Sequence, residues 1–239
     1  MTCRWLTSFS ALLLLAAAAL PAGTFSGRVE LADSRNDAVR RKRDYSGIVV
    51  WLEPVGRDAP LSPPRVFTML QKGKRFQPHV LAIPLGSIVD FPNFDPIFHN
   101  AFSDFAGQPF DTGLYRPGGT QRVRFRRDGV VRVFCNIHSS MSAVILVLRT
   151  PYIAVTMPDG SYSLTGVEPG EYRFHVWHER ASAEALAKFD KTVRIDGAAL
   201  AEGPIRISES GYLEIPHKNK YGRDYPPEAS GSLYPGGRK

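Results

Sequence analysis

The sequence predicts an all-β protein, and three observations lead there. Most of the chain divides into short runs of β-branched and aromatic residues. Gly, Pro, Asp and Asn separate these runs at the spacing of a β-sandwich. Only one stretch, the short Ala-rich segment Ala181–Phe189, reads as helix, and its position suits a loop helix.

Along the chain, residues 1–22 come first and read as a secretory signal. Arg4 supplies the positive start, the run from Phe9 to Leu20 is apolar, and small residues follow at Ala22 and Gly23. That run falls short of the ~20 residues a membrane span needs. The expected location is the periplasm or the exterior, with no membrane span. Strands follow at Phe25–Leu31 and Gly47–Glu53, with the basic run Arg40–Arg43 read as a solvated loop between them. Arg65–Gln71, His79–Pro84 and Ile88–Pro92 are the next three. In Gln121–Arg127, Arg122, Arg124 and Arg126 alternate with Val123 and Phe125, so the arginines share a wet face and the apolar pair points inward. Asp128-Gly129 is a tight-turn dipeptide. On the return strand Val130–Cys135, Val131, Val133 and Cys135 have one parity and Arg132 the other, which aims the thiol into the core. Ala143–Leu148, Ile153–Met157, Ser161–Leu164, Glu171–Trp177, Lys191–Ile195 and Ile205–Ile207 complete the set. The Pro158-Asp159-Gly160 and Pro169-Gly170 segments are the hairpin turns in this last part. From Pro216 onward, residues 216–239 are poor in apolar side chains and read as a disordered tail.

The chemistry collects around Cys135. Cys3 leaves with the signal, so the mature chain keeps one cysteine, and an exported protein with a single thiol calls for an explanation. A lone Cys is more often a buried packing residue. Here, however, His138 and Met141 follow at intervals of three, and His99-Asn100 lies upstream. Three extended residues span roughly 10 Å, so these side chains meet on one ion only if the loop curls into a compact turn. Two imidazoles, a thiolate and a weak axial thioether are the donors of a blue-copper centre. Zinc also accepts His and Cys, but the soft thioether favours copper.

With those residues in place, residues 64–148 resemble the cupredoxins, amicyanin and plastocyanin most of all. The resemblance runs through Phe76-Gln77-Pro78, Gly86-Ser87-Ile88-Val89-Asp90-Phe91-Pro92-Asn93-Phe94-Asp95, His99-Asn100, Pro117-Gly118, Gly129 and Cys135-x-x-His138-x-x-Met141. It implies a Greek-key β-sandwich holding one type 1 copper. His99, Cys135 and His138 would be its equatorial ligands, Met141 its axial ligand, and Asn100 a hydrogen-bonding brace behind them. It also implies that electrons pass through an exposed edge of His138. Ser139 and Ser140 depart from the pattern, standing where amicyanin-like loops carry a Pro and a bulky apolar residue. The flanks resemble a carboxypeptidase-regulatory-like (transthyretin-like) sandwich. The matching residues are Gly27-Arg28-Val29 and Ile48–Pro54, then Thr156 to Phe174 through Asp159-Gly160 and Pro169-Gly170. The expected organisation is a signal at 1–22, first sandwich strands at 24–57, a cupredoxin domain at 58–149 inserted at a loop tip, and the remaining sandwich at 150–215. The arrangement as a whole also resembles exported proteins labelled methylamine-utilisation or plastocyanin-like.

The remaining signals limit the function classes. Without Arg4 the mature chain carries 29 Lys+Arg against 23 Asp+Glu, a formal charge of +6. That suits an acidic partner, but no nucleic-acid motif accompanies it. No Gly-x-Ser-x-Gly elbow or oriented acid supports catalysis by Ser139 or Ser140. A binuclear copper site lacks its second cysteine. His79 reads as a satisfied structural histidine. His175 and His178 face opposite sides of a strand, and His217 belongs to the solvated tail. Phe91, Phe94, Phe98, Phe102 and Phe105 read as core and loop packing. The expected protein is therefore a monomeric, non-enzymatic electron carrier with a redox protein partner. Its rival is a non-redox copper carrier, or an envelope-binding module that uses the copper domain as scaffold.

Overall fold

The computed structural model describes residues 21–60, 62–104, 107–213 and 216–226. The signal reading of residues 1–22, apart from its last two residues, lies outside them, as do Phe105 and the chain beyond 226. The described chain is all-β with two short helices.

Four larger sheets and a two-stranded one, Leu70–Gln71 with Phe76–Gln77, pack around three apolar cores. In the first sheet, strand Gly23–Ala32 pairs antiparallel with Ser161–Val167 and parallel with Ala199–Ala201 and Ile205–Ser208. The second sheet orders Ile153–Val155, Val49–Pro54, Gly170–Trp177 and Lys191–Ile195, all antiparallel. The third runs Val80–Pro84, Ser142–Leu148, Gly129–Phe134, Phe102–Ser103 and Phe110–Asp111. The fourth holds Thr120–Arg124, Ile88–Pro92 and Val66–Thr68.

Strand parity explains the stacking. In Val49–Pro54, Val50 and Leu52 enter the core against Phe25 and Val29, whereas Val49 and Trp51 face the other way, toward the third sheet. In Ser142–Leu148, Ala143, Ile145 and Val147 join the core of Cys135, and Val144, Leu146 and Leu148 face Val49 and Trp51. Both strands are apolar on consecutive residues because both of their faces are buried. Residues 23–54 thus pair with 153–208, while the strands between 66 and 148 pair among themselves.

Several local expectations change. The run Arg65–Gln71 breaks at Met69 into Val66–Thr68 and Leu70–Gln71, which belong to different sheets. The arginine strand is Thr120–Arg124, ending before Arg126. The basic loop 40–43 is mostly helix, Asp37–Lys42. Its cap is Asn36, whose side chain accepts from Ala38 N–H, and its cations sit in the last turn, where the helix dipole favours them. The aromatic stripe divides: Phe91 and Phe102 are buried, while Phe94 and Phe98 are 67% and 45% exposed. The disordered-tail reading fails for 216–226, which docks on the loop after Gly129–Phe134. Backbone and ring contacts hold this segment, so its low apolar content did not reveal it.

Candidate metal centre

An isolated β-bridge at His99 and the loop joining Gly129–Phe134 to Ser142–Leu148 bring the site together. His99 exchanges backbone hydrogen bonds with Tyr115, N–H to carbonyl in both directions, at 3.3 and 2.9 Å. Cys135 directly follows strand Gly129–Phe134, which buries Val131 and Val133, and it is buried with them, as its parity predicts. The chain then turns back on itself: Met141 N–H donates to His138 O and Cys135 N–H to Met141 O, both at 3.2 Å. Those two bonds close the compact loop that the 135/138/141 spacing requires.

Inside it, Cys135 Sγ lies 3.8 Å from His99 Nδ1 and 3.8 Å from His138 Nδ1. The donor atoms of the three residues all fall within 4.8 Å of one another, and all three residues are buried. An ion about 2.3 Å from sulfur and about 2.05 Å from nitrogen, at an angle of about 120°, places those two atoms roughly 3.8 Å apart. Both sulfur–nitrogen separations therefore match those of donors around one ion. Met141 is fully buried in the same apolar cluster as Cys135.

The tautomer of His99 follows from its other nitrogen. Nε2 faces Asp95 Oδ2 at 2.8 Å and carries the proton it donates, which leaves a lone pair on Nδ1 toward the sulfur. Burial pushes the His99 imidazole down, against the pull of Asp95, so the ring is neutral and able to ligate. Burial also opposes ionisation of Asp95. N–H groups of Lys74 and Gly73 and the His99 ring outweigh it and hold the carboxyl below the usual range. Burial raises the Cys135 thiol, while backbone N–H groups of Asn100, Ile137 and His138 pull the other way. Asn100 links both halves of the site: its Oδ1 accepts from Asn136 N–H at 2.7 Å and its Nδ2 donates to Asp111 at 3.3 Å.

The other histidines lie elsewhere. His79 sits between Glu179 at 2.9 Å and the Ser142 carbonyl at 3.1 Å. His175 stacks on Trp51, and His178 pairs with Glu209 at 2.7 Å in the interior. His217, read as solvated, instead stacks on Phe134 with centroids 4.0 Å apart. The exposed His138 edge is also corrected: His138 is 0% exposed, enclosed with His99 and Cys135. Sequence reasoning gave no role to Asp95, although its place four residues before His99 was the available signal.

No protein-family model matches the sequence, and a search of curated proteins gives no match. Among solved structures, a copper-containing nitrite reductase from Thermus scotoductus is 27% identical over 50% of this chain and 28% of its own, with a TM-score of 0.34. A purple cupredoxin from Nitrosopumilus maritimus is 22% identical over 34% of this chain and 99% of its own, with a TM-score of 0.32. A reduced copper(I) amicyanin variant is 12% identical over 41% of this chain and 98% of its own, with a TM-score of 0.33. At such scores the overlaps say what the chain is similar to and carry no reading of the site, which rests on its own residues. No helix among the described residues is long and apolar enough to cross a membrane.

Proposed function

We propose that this chain is an exported single-copper electron carrier of the blue-copper kind, in which His99, Cys135, His138 and Met141 would hold the ion. The observation that carries the reading is the equal 3.8 Å separation of both Nδ1 atoms from one buried thiol. Copper held there would supply a one-electron couple, Cu(I)/Cu(II).

The chain's own residues do the rest. Asp95 orients His99 and keeps its Nδ1 free of a proton. The closed loop holds Cys135 and His138 in fixed relation, and burial of all three donors keeps water and any substrate away from the metal position. That enclosure favours a carrier over an enzyme. A redox protein partner completes the proposal, and an acidic one suits the chain. Arg122 is already paired with Asp90 at 2.6 and 2.8 Å, which leaves the exposed Arg124 and Arg126 to attract it.

The test is titration of the full-length protein with Cu(II), followed by absorption. One equivalent should bind and produce an intense thiolate-to-copper band in the visible. A colourless complex would favour the rival, a copper carrier or scaffold without redox work.

A further inference from the structure

The segment 216–226 contributes no metal donor, yet it is fastened to the ligand loop at three points. Tyr225 OH donates to the carbonyl of Cys135 at 2.7 Å. Lys220 N–H donates to Asn136 Oδ1 at 3.0 Å, and His217 Nε2 donates to the carbonyl of Ser139 at 2.8 Å. These anchors span the loop from its first residue to its fifth. The segment is also shaped to reach them. Asn219 N–H donates to Arg223 O, Gly222 N–H to Asn219 O, and Lys218 pairs with Asp224, so the chain turns back tightly. The turn brings His217 and Tyr225 edge to face, with centroids 5.1 Å apart.

Two further contacts tie it down. The His217 ring lies on Phe134, the residue before Cys135, nearly parallel at 25°. Lys220 Nζ bonds Asp111 at 2.7 Å, and Asp111 in turn accepts from Asn100, which holds Asn136 N–H. Phe134 points away from the core of Cys135 and is nonetheless only 6% exposed, because Phe102 and His217 cover it.

We propose that residues 216–226 are a strap that holds the ligand loop shut. Access to the Cys135 thiol, and release of an ion held there, would then require the strap to undock and would not require the whole molecule to unfold. The inference concerns loop opening, so it can be tested on the metal-free protein.

The measurement is the rate at which an aromatic disulfide reagent modifies Cys135 in the metal-free chain lacking residues 1–22, where it is the single cysteine. The single variants His217→Ala and Tyr225→Phe are compared with the unmodified sequence. Tyr225→Phe removes the hydrogen bond to Cys135 and should speed modification by about three- to tenfold; His217→Ala removes a hydrogen bond and its ring contacts and should speed it by more, and the double variant by more again. Local opening exposes little surface, so this acceleration should persist with little dependence on denaturant below the unfolding transition. Equal rates in all variants would overturn the strap. So would an acceleration that follows the global unfolding curve. A second arm loads the protein with copper and follows its transfer to a strong chelator, with the same ordering expected. If the unmodified protein forms no coloured complex, the copper reading fails while the thiol experiment still decides the strap.

Discussion

At Cys135, burial keeps the proton on sulfur, and three backbone N–H groups compete with that effect. An incoming ion therefore displaces a proton there, whereas at His99 the lone pair is already available because Asp95 fixes the tautomer. Asp95→Asn retains the shape and removes the carboxylate that raises the ring's basicity. It should weaken copper binding by about 10–100-fold, as losing such a partner behind a ligand generally does. Competition with a chelator of known affinity measures it, and an unchanged affinity would show that the 2.8 Å contact has no hold on the metal. Residue spacing alone made the Cys135/His138/Met141 loop legible, because those residues are local in sequence. Asp95 was visible only as one more acid near a histidine. Its role depends on the Lys74 and Gly73 amides, which lie more than twenty residues away and could not be placed from spacing.

At the scale of elements, an ionic bridge crosses the contact between the second and third sheets. His79, just before strand Val80–Pro84, meets Glu179, just after strand Gly170–Trp177. Hydrogen bonding to Glu179 raises the His79 imidazole despite partial burial. For Glu179, burial opposes ionisation, but the His79 bond prevails and lowers its carboxyl. The raised histidine stabilises the fold fully below the unfolded value of about 6.5, and that stabilisation is lost as pH rises through its folded value. The lowered Glu179 stabilises above about 4.5 and loses that effect as pH falls through its own. Both contributions are fully present between roughly pH 4.5 and 6.5. His79→Gln should therefore destabilise most near about pH 5.5, by less than about 1 kcal/mol because His79 is half open to water. The difference should shrink toward zero as pH rises well above the raised value. Denaturant unfolding at several pH values checks this, and a pH-independent difference would remove the ion pair from the account. The strands themselves were readable from alternation, as with Arg122 to Phe125. The helix Asp37–Lys42 was not legible, because six residues with Val39 as the one buried side chain are too short to show a helical period.

For the whole molecule, the third core changes what the two sandwiches owe each other. Val80, Val144, Leu146 and Leu148 are at most 9% exposed because Val49, Trp51 and Trp177 cover them. A fragment of residues 58–149 would leave this face bare, each side chain forgoing up to about 2 kcal/mol of burial. It should fold, melt below the full-length protein and self-associate, as size-exclusion and thermal melts would show. A fragment of residues 149–215 should stay unfolded, because strand Val49–Pro54 sits between Ile153–Val155 and Gly170–Trp177. Equal stability of a monomeric 58–149 fragment would argue that the third core is dispensable. The sequence did carry the hint: Val49-Val50-Trp51-Leu52 and Ala143 to Leu148 are unbroken apolar runs, the mark of strands covered on both faces. What it could not show was which sheet lay opposite, since that depends on pairings over a hundred residues apart. The central claim, that one copper ion joins His99, Cys135 and His138, is tested most directly by X-ray absorption at the copper edge on the loaded full-length protein. The account predicts one short copper–sulfur distance with two histidine nitrogens, the sulfur vanishing in Cys135→Ser. A shell of nitrogen and oxygen alone in the unmodified protein would contradict it.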